Sequence, residues 1–116
     1  MSFESITIGD LNSQNTSALN AHNYGVVKMD HSGTVTDYNN SQSEHTGMSK
    51  DAVMGKHFFT QVAPCTNNFM VSQKYDSAEG LDETVPYTFT IKMAPTPLTL
   101  RLLKDSSSQY LLCKWN

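Results

Sequence analysis

A single thiol, Cys65, stands directly behind Pro64 at the end of the run Gly55-Lys-His-Phe-Phe-Thr-Gln-Val-Ala-Pro-Cys-Thr66. Proline fixes its own φ and pushes the preceding residue, here Ala63, toward extended geometry. A cysteine held by so stiff a backbone suits a fixed attachment point better than a mobile nucleophile. The competing reading is a free cysteine that only packs, and that is also the reading of Cys113. Tyr38, Gln42 and Thr46 follow one another at intervals of four. Taken singly they are a half-buried strand-end tyrosine and two solvated or capping polar residues. No two of His22, His31, His45 and His57 have metal-ligand spacing, so all four read as surface histidines and no metal is expected.

The elements that must position these residues belong to one domain. A chain of 116 residues is long enough for one core and too short for two. Charged residues make up 16% and the net charge is −3, without a block of like charges, which argues against nucleic acid and anionic membrane as partners. Lys28, Lys50, Lys56, Lys74, Lys92, Arg101, Lys104 and Lys114 are scattered and read as solvated surface. The start lacks the basic, apolar and cleavage regions of a secretory signal, and no apolar run has membrane-spanning length. Two cysteines make no disulfide framework. A soluble, cytoplasmic setting is expected.

Residues 1–22 carry only Phe3, Ile6, Ile8, Leu11 and Leu19 as large apolar groups among Ser, Asn and Thr. They read as a lightly anchored N-terminal cap that can detach before the core does. Tyr24–Asp30 and Gly33–Tyr38 flank a His31-Ser32-Gly33 turn, a hairpin signal. Residues 39–56 read as short helical pieces, with Ser49 as N-cap and Gly55 as C′ residue of a turn over Lys50–Met54. A further helix is predicted from about Asn68 to Glu79, stopping at Gly80. In Tyr87–Met93, Tyr87, Phe89, Ile91 and Met93 alternate with Thr88, Thr90 and Lys92, the pattern of a half-buried strand. Pro95 and Pro97 break the chain before strands over Leu98–Lys104 and Gln109–Trp115, joined at Asp105–Ser108. Cys113 and Trp115 read as packing residues of the last strand. The expected fold is α+β: a five-stranded antiparallel sheet with helices against one side, residues 23–116 forming the core.

Three segments together resemble the photoactive yellow protein family, small blue-light receptors of the PAS class. They are Tyr38–Gly47, Gly55–Thr66 and Pro86–Thr96. The resemblance covers nearly the whole chain, with the stretch between Thr66 and Val85 a few residues short, and implies a PAS-like sheet. It implies that Cys65 carries p-coumaric acid (4-hydroxycinnamic acid) as a thioester, with the Cys65 N–H on the thioester carbonyl. The phenolate end would be held by Tyr38, with Thr46 behind it, and by the residue four positions after the tyrosine. The remaining pocket wall would be Val27, Phe58, Val62, Ala63, Pro64, Thr66, Phe89 and Ile91. Met93 matches a methionine associated with thermal return to the dark state.

Two positions depart from the family pattern. Gln42 stands where the family has a protonated glutamic acid; an amide donates a hydrogen bond but has no proton to hand over. Weaker stabilisation of the anion should raise the chromophore pKa and shift absorption to the red. Met48 stands where the family often has an arginine over the phenolate end, and it can neither screen charge nor hydrogen-bond as arginine does. The expectation is a monomeric blue-light photoreceptor, not an enzyme, signalling to an unidentified protein. Its rivals are a PAS sensor that binds a small ligand reversibly and leaves Cys65 free, and a thiol enzyme with His45 or His57 as base.

Overall fold

The computed structural model describes residues 1–90 and 94–115. Its elements are α1 (Ile8–Asn12), α2 (Thr16–Asn20), β1 (Gly25–Met29), β2 (Val35–Tyr38), α3 (Asn40–Thr46), α4 (Lys50–Val53), α5 (Ser72–Ser77), β3 (Leu81–Phe89), β4 (Thr96–Lys104) and β5 (Gln109–Trp115). A π-helical turn, Phe58–Val62, and a 3-10 turn, Pro64–Thr66, lie between α4 and α5. The five strands form one antiparallel sheet in the order β2-β1-β5-β4-β3. The α+β reading with a five-stranded antiparallel sheet is therefore correct.

The β1–β2 hairpin closes where the sequence placed it. Gly33 takes the left-handed conformation (φ 88°), which a glycine adopts without steric penalty. The Asp30 carboxylate accepts from the N–H groups of Ser32 and Thr34 and from the Ser32 hydroxyl. Ser49 caps α4 by accepting from the Ala52 N–H, and Gly55 follows with φ 79°.

Both faces of the sheet are covered, not one. Gln109 to Cys113 are all buried along β5, the near-continuous burial of a two-sided strand. On one face Val27, Met29, Leu100, Leu102, Leu111 and Cys113 pack with Tyr38, Phe58, Phe59, Val62 and Phe89. On the other, Val26, Leu103, Tyr110 and Leu112 pack with Phe3, Ile6, Leu11, Leu19 and Tyr24. Residues 1–22 thus form the second cover, and the light anchoring expected of them is wrong. Burying Phe3, Ile6, Leu11 and Leu19 contributes about 1.5–3 kcal/mol each before the cost of ordering the chain.

Polar ties reinforce that cover. Arg101, expected at the surface, is buried: its guanidinium donates to the carbonyls of Phe3 (3.0 Å) and Ile6 and makes a two-bonded ion pair with Asp82 (2.9 Å each). Thr16 donates to Asp37 (2.9 Å), which also pairs with Lys50 (2.8 Å), and Asn12 bonds Asp105 and Tyr110. None of these pairings is close in sequence, and a chain read in order does not reveal them.

Three element boundaries differ from the sequence reading. β4 begins at Thr96, so Pro97, expected to break the chain before Leu98, lies within the strand, paired to Thr88 of β3. The strand expected over Tyr87–Met93 instead spans Leu81–Phe89, and Ile91, Lys92 and Met93 lie outside the described residues. Pro86 is tolerated inside it because β3 is an edge strand. The helix expected from Asn68 to Glu79 is only Ser72–Ser77. The Asn68 carboxamide oxygen accepts from the Met70 and Val71 N–H groups, a local turn that competes with helix.

Burial places the tyrosines under one pH constraint. It pushes the phenols of Tyr24, Tyr38 and Tyr110 up to about 12, and that of Tyr75 well above its ordinary value. An unfolded chain ionises tyrosine near 10. Above that pH the unfolded state binds fewer protons than the folded one, so stability falls as pH rises from about 10 to 12. The expected outcome is cooperative alkaline unfolding in which tyrosinate absorbance and loss of circular dichroism coincide. Tyrosinate from Tyr24, Tyr38, Tyr75 or Tyr110, assigned by single Tyr→Phe variants, appearing near pH 10 in a protein that keeps its native spectrum would contradict it.

Candidate functional site

The short helix α3 follows β2 directly and carries Gln42 and Thr46 one turn apart on its buried side. Asn39 starts it: its carboxamide oxygen accepts from the Gln42 N–H (3.1 Å) and the Val26 N–H (2.9 Å). The same side chain donates to the carbonyls of Leu19 (2.9 Å) and Tyr24 (3.0 Å). One buried residue thus joins α3, the edge of β1 and the end of the N-terminal cover.

Tyr38, buried at the end of β2, donates to Thr46 Oγ1 at 2.8 Å, because the Thr46 hydroxyl hydrogen goes to the Gln42 carbonyl (2.9 Å). Burial raises the Tyr38 pKa to about 12, against the opposing pull of Thr46; the phenol is protonated at neutral pH. Gln42 has no solvent exposure, and neither its amide nitrogen nor its amide oxygen has a hydrogen-bond partner among the described residues. Buried polar atoms are nearly always paired. The orphaned amide stands four residues after the protonated Tyr38 phenol, and its nitrogen could donate to a polar atom placed there.

Cys65 lies at the middle of the Pro64–Thr66 turn and is half-buried against the core that contains Tyr38. The turn uses the N–H groups of Thr66 and Asn67, which donate to Ala63 and Pro64. The Cys65 carbonyl accepts from the Tyr87 hydroxyl (2.5 Å) and the Asn68 amide (3.2 Å). Two donors thus fix the Cys65 carbonyl. His45 Nδ1 bonds the Ser41 carbonyl (2.8 Å) and its ring stacks on Trp115, while His57 Nδ1 bonds Thr60 (2.9 Å).

No family model matches the chain. A photoactive yellow protein from Halochromatium salexigens is 36% identical over 89 residues, 74% of this chain and 71% of that protein. The chain belongs to the photoactive yellow protein family. A second photoactive yellow protein, from Rhodothalassium salexigens, is 33% identical over 82 residues, 68% of this chain and 66% of that protein. Among solved structures, the photoactive yellow protein domain of the sensor histidine kinase Ppr from Rhodospirillum centenum superposes with a TM-score of 0.84 at 26% identity, covering 93% of this chain and 99% of that one. A PAS domain of an HTR-like protein from Haloarcula marismortui superposes at 0.66 with 11% identity over 90% and 96% of the two chains, a likeness of fold alone.

In this photoactive yellow protein homologue, Tyr38, Thr46, Val27, Phe58, Val62, Ala63, Thr66 and Phe89 are buried, and Met48 and Cys65 are half-buried against the same core. Pro64, expected in the pocket wall, is exposed: it sits on the outside of the turn that carries Cys65. Ile91 and Met93 fall outside the described residues. Sequence reading missed Asn39, Asn68 and Tyr87, which hold the backbone of α3 and of Cys65. Asn39 had a signal, an N-cap residue three positions before Gln42; Asn68 acts on Cys65 from three residues on, and Tyr87 reaches it from β3. Among the described residues no helix is long and apolar enough to cross a membrane, and no group of three potential metal ligands occurs.

Proposed function

We propose that the chain is a blue-light photoreceptor that carries p-coumaric acid as a thioester on Cys65, with the phenol end held as an anion by Tyr38 and Gln42. The observation that carries this reading is the Gln42 amide, fully buried with both polar atoms unpartnered among the described residues. Leaving such a group unsatisfied costs about 1–3 kcal/mol. A phenolate oxygen between Tyr38 and Gln42 supplies an acceptor for the amide nitrogen, and two donors offset the cost of burying its charge. Bound there, the group supplies a light-absorbing double bond that can isomerise between trans and cis.

The chain's own residues do the rest. Cys65 provides the sulfur, and its N–H is left outside the bonding of its own turn. Tyr38 donates to an anion only when its hydrogen leaves Thr46. Thr46 then turns its own hydrogen from the Gln42 carbonyl to Tyr38, so the two hydroxyls act as a linked pair of rotors. Gln42 has no transferable proton, so protonation of the anion draws on Tyr38 or water. Asn39 connects this turn of helix to Leu19, and a shift of α3 loosens residues 1–22, an order-to-disorder device. The signal passes to a separate protein of unknown identity.

The test is to mix the purified apoprotein with activated p-coumaric acid and record its mass and visible spectrum. The expected result is a one-to-one adduct with a blue-absorbing band that bleaches in light and returns in the dark. No adduct, or only the near-ultraviolet colour of a protonated coumarate, overturns the reading. Thr46→Val removes the hydrogen bond behind Tyr38. It is expected to raise the pKa of the bound phenol by about half to one unit, read from a pH titration of the visible band. An unchanged titration would remove Thr46 from the relay.

A further inference from the structure

The residues assigned to the phenol end, Tyr38, Gln42, Thr46 and Met48, all lie in one segment that runs from the end of β2 through α3 to the start of α4. The two ends of that segment meet. Asp37 precedes Tyr38; its Oδ1 lies 2.8 Å from the ammonium of Lys50, the first residue of α4, and accepts from the Tyr38 N–H (2.8 Å). The other carboxylate oxygen, Oδ2, accepts from the hydroxyl of Thr16, the first residue of α2 in the N-terminal cover (2.9 Å). Lys28 stands opposite Asp37 across the β1–β2 hairpin, yet its ammonium lies over the Tyr110 ring (5.8 Å). The cation that Asp37 takes is the one that closes the segment, not the one across the hairpin.

Both oxygens belong to one rigid, planar group, and Asp37 is buried. Whatever shifts the carboxylate from one side shifts what it holds on the other. Burial pushes the Asp37 pKa up, but the bonds from Lys50, the Tyr38 N–H and Thr16 outweigh it and hold the carboxyl below its ordinary value. It is therefore ionised at neutral pH, and its bonds are of the stronger, charge-assisted kind. We propose that Asp37 is a positioning residue with two tasks: through Lys50 it closes the segment that carries the phenol-end residues, and through Thr16 it locks the N-terminal cover to that segment. Cover and segment are then coupled in both directions, because a coupling free energy between two sites is reciprocal. The effect on a bound phenol rests on the photoreceptor reading; the coupling within the protein does not.

The test begins without chromophore, by amide hydrogen exchange. Lys50→Met cuts the segment side of the carboxylate and leaves Thr16 in place. It is expected to speed exchange in residues 16–22 about fivefold while β4 and β5 keep their protection. Thr16→Val cuts the cover side and is expected to speed exchange in α3 to a similar extent. Unchanged exchange on the far side of Asp37 in either variant overturns the coupling. A uniform rise that includes β5 overturns it too, since the contact would then serve only general stability. In protein loaded with p-coumaric acid, Lys50→Met and Asp37→Asn remove charges of opposite sign. A plain field effect would raise the phenol pKa in the first and lower it in the second. Loss of the clasp loosens Tyr38 and Gln42 in both, so the phenol pKa is expected to rise in both by about half a unit, roughly a threefold change in ionisation constant. Absent shifts, or shifts of opposite sign, overturn the positioning of the phenol end while the coupling stands. Failure of the parent protein to load counts against the photoreceptor reading alone.

Discussion

Cys65→Ala is expected to abolish covalent loading with activated p-coumaric acid completely, with no adduct mass and no blue-absorbing band. The second cysteine cannot substitute. Cys113 is fully buried, and burial pushes its thiol well above the ordinary range, so the thiolate that attacks an activated acyl group is scarce. Cys65, by contrast, is half-buried. Loss of one half-buried sulfur should leave the fold within about 1 kcal/mol of the parent in urea denaturation, which separates lost chemistry from lost structure. Cys113→Ser is the companion variant and should load stoichiometrically. An adduct that survives Cys65→Ala, located by peptide mass mapping, would sink the assignment of the attachment site.

Arg101→Ala is expected to produce the largest loss of stability, about 2–4 kcal/mol. The guanidinium is the described hydrogen-bond donor to the Phe3 and Ile6 carbonyls. Truncation strands both acceptors next to the core formed with residues 1–22, at about 1–3 kcal/mol for each unsatisfied group. Asp82, largely exposed, recovers its solvation and adds little. Hydrogen exchange should show the loss concentrated in residues 1–22 and β4, with α3 and the β1–β2 hairpin less affected. If exchange rose uniformly over the chain, the cover would not be a separately detachable layer. The same measurement on loaded protein, dark against light, reads whether residues 1–22 are what illumination loosens.

What a reader of the sequence can see is whatever is encoded locally. The Pro64-Cys65 pair, the Asp30–Gly33 turn, the Ser49 cap and the alternation that begins at Tyr87 and Phe89 depend on neighbours a few residues away. Arg101 looks like any surface cation in a β-strand, because the carbonyls that claim it are nearly the whole chain away. Gly25 looks like a strand start, because the Gln42 amide oxygen that a Cβ at position 25 would overlap comes from α3. The strand start at Leu81 was hidden by Asp82, Glu83 and Pro86, which an edge strand accepts and a central strand does not. The spacing of Tyr38, Gln42 and Thr46 was visible, but the hydroxyl order among them and the orphaned amide are properties of packing.

The second core also dictates a sequence of events as the chain is made. Phe3, Ile6 and Leu11 are made well before part of the surface they cover, which includes Leu103, Tyr110 and Leu112. Until β4 and β5 are made, only Tyr24 and Val26 of that surface are available to the segment. Its full docking waits on strands about a hundred residues downstream, contacts of long sequence separation and therefore slow to close. A nascent chain stalled before β5 would expose that apolar segment and the bare strand edge of β1 together, the kind of species that chaperones hold and that aggregates without them.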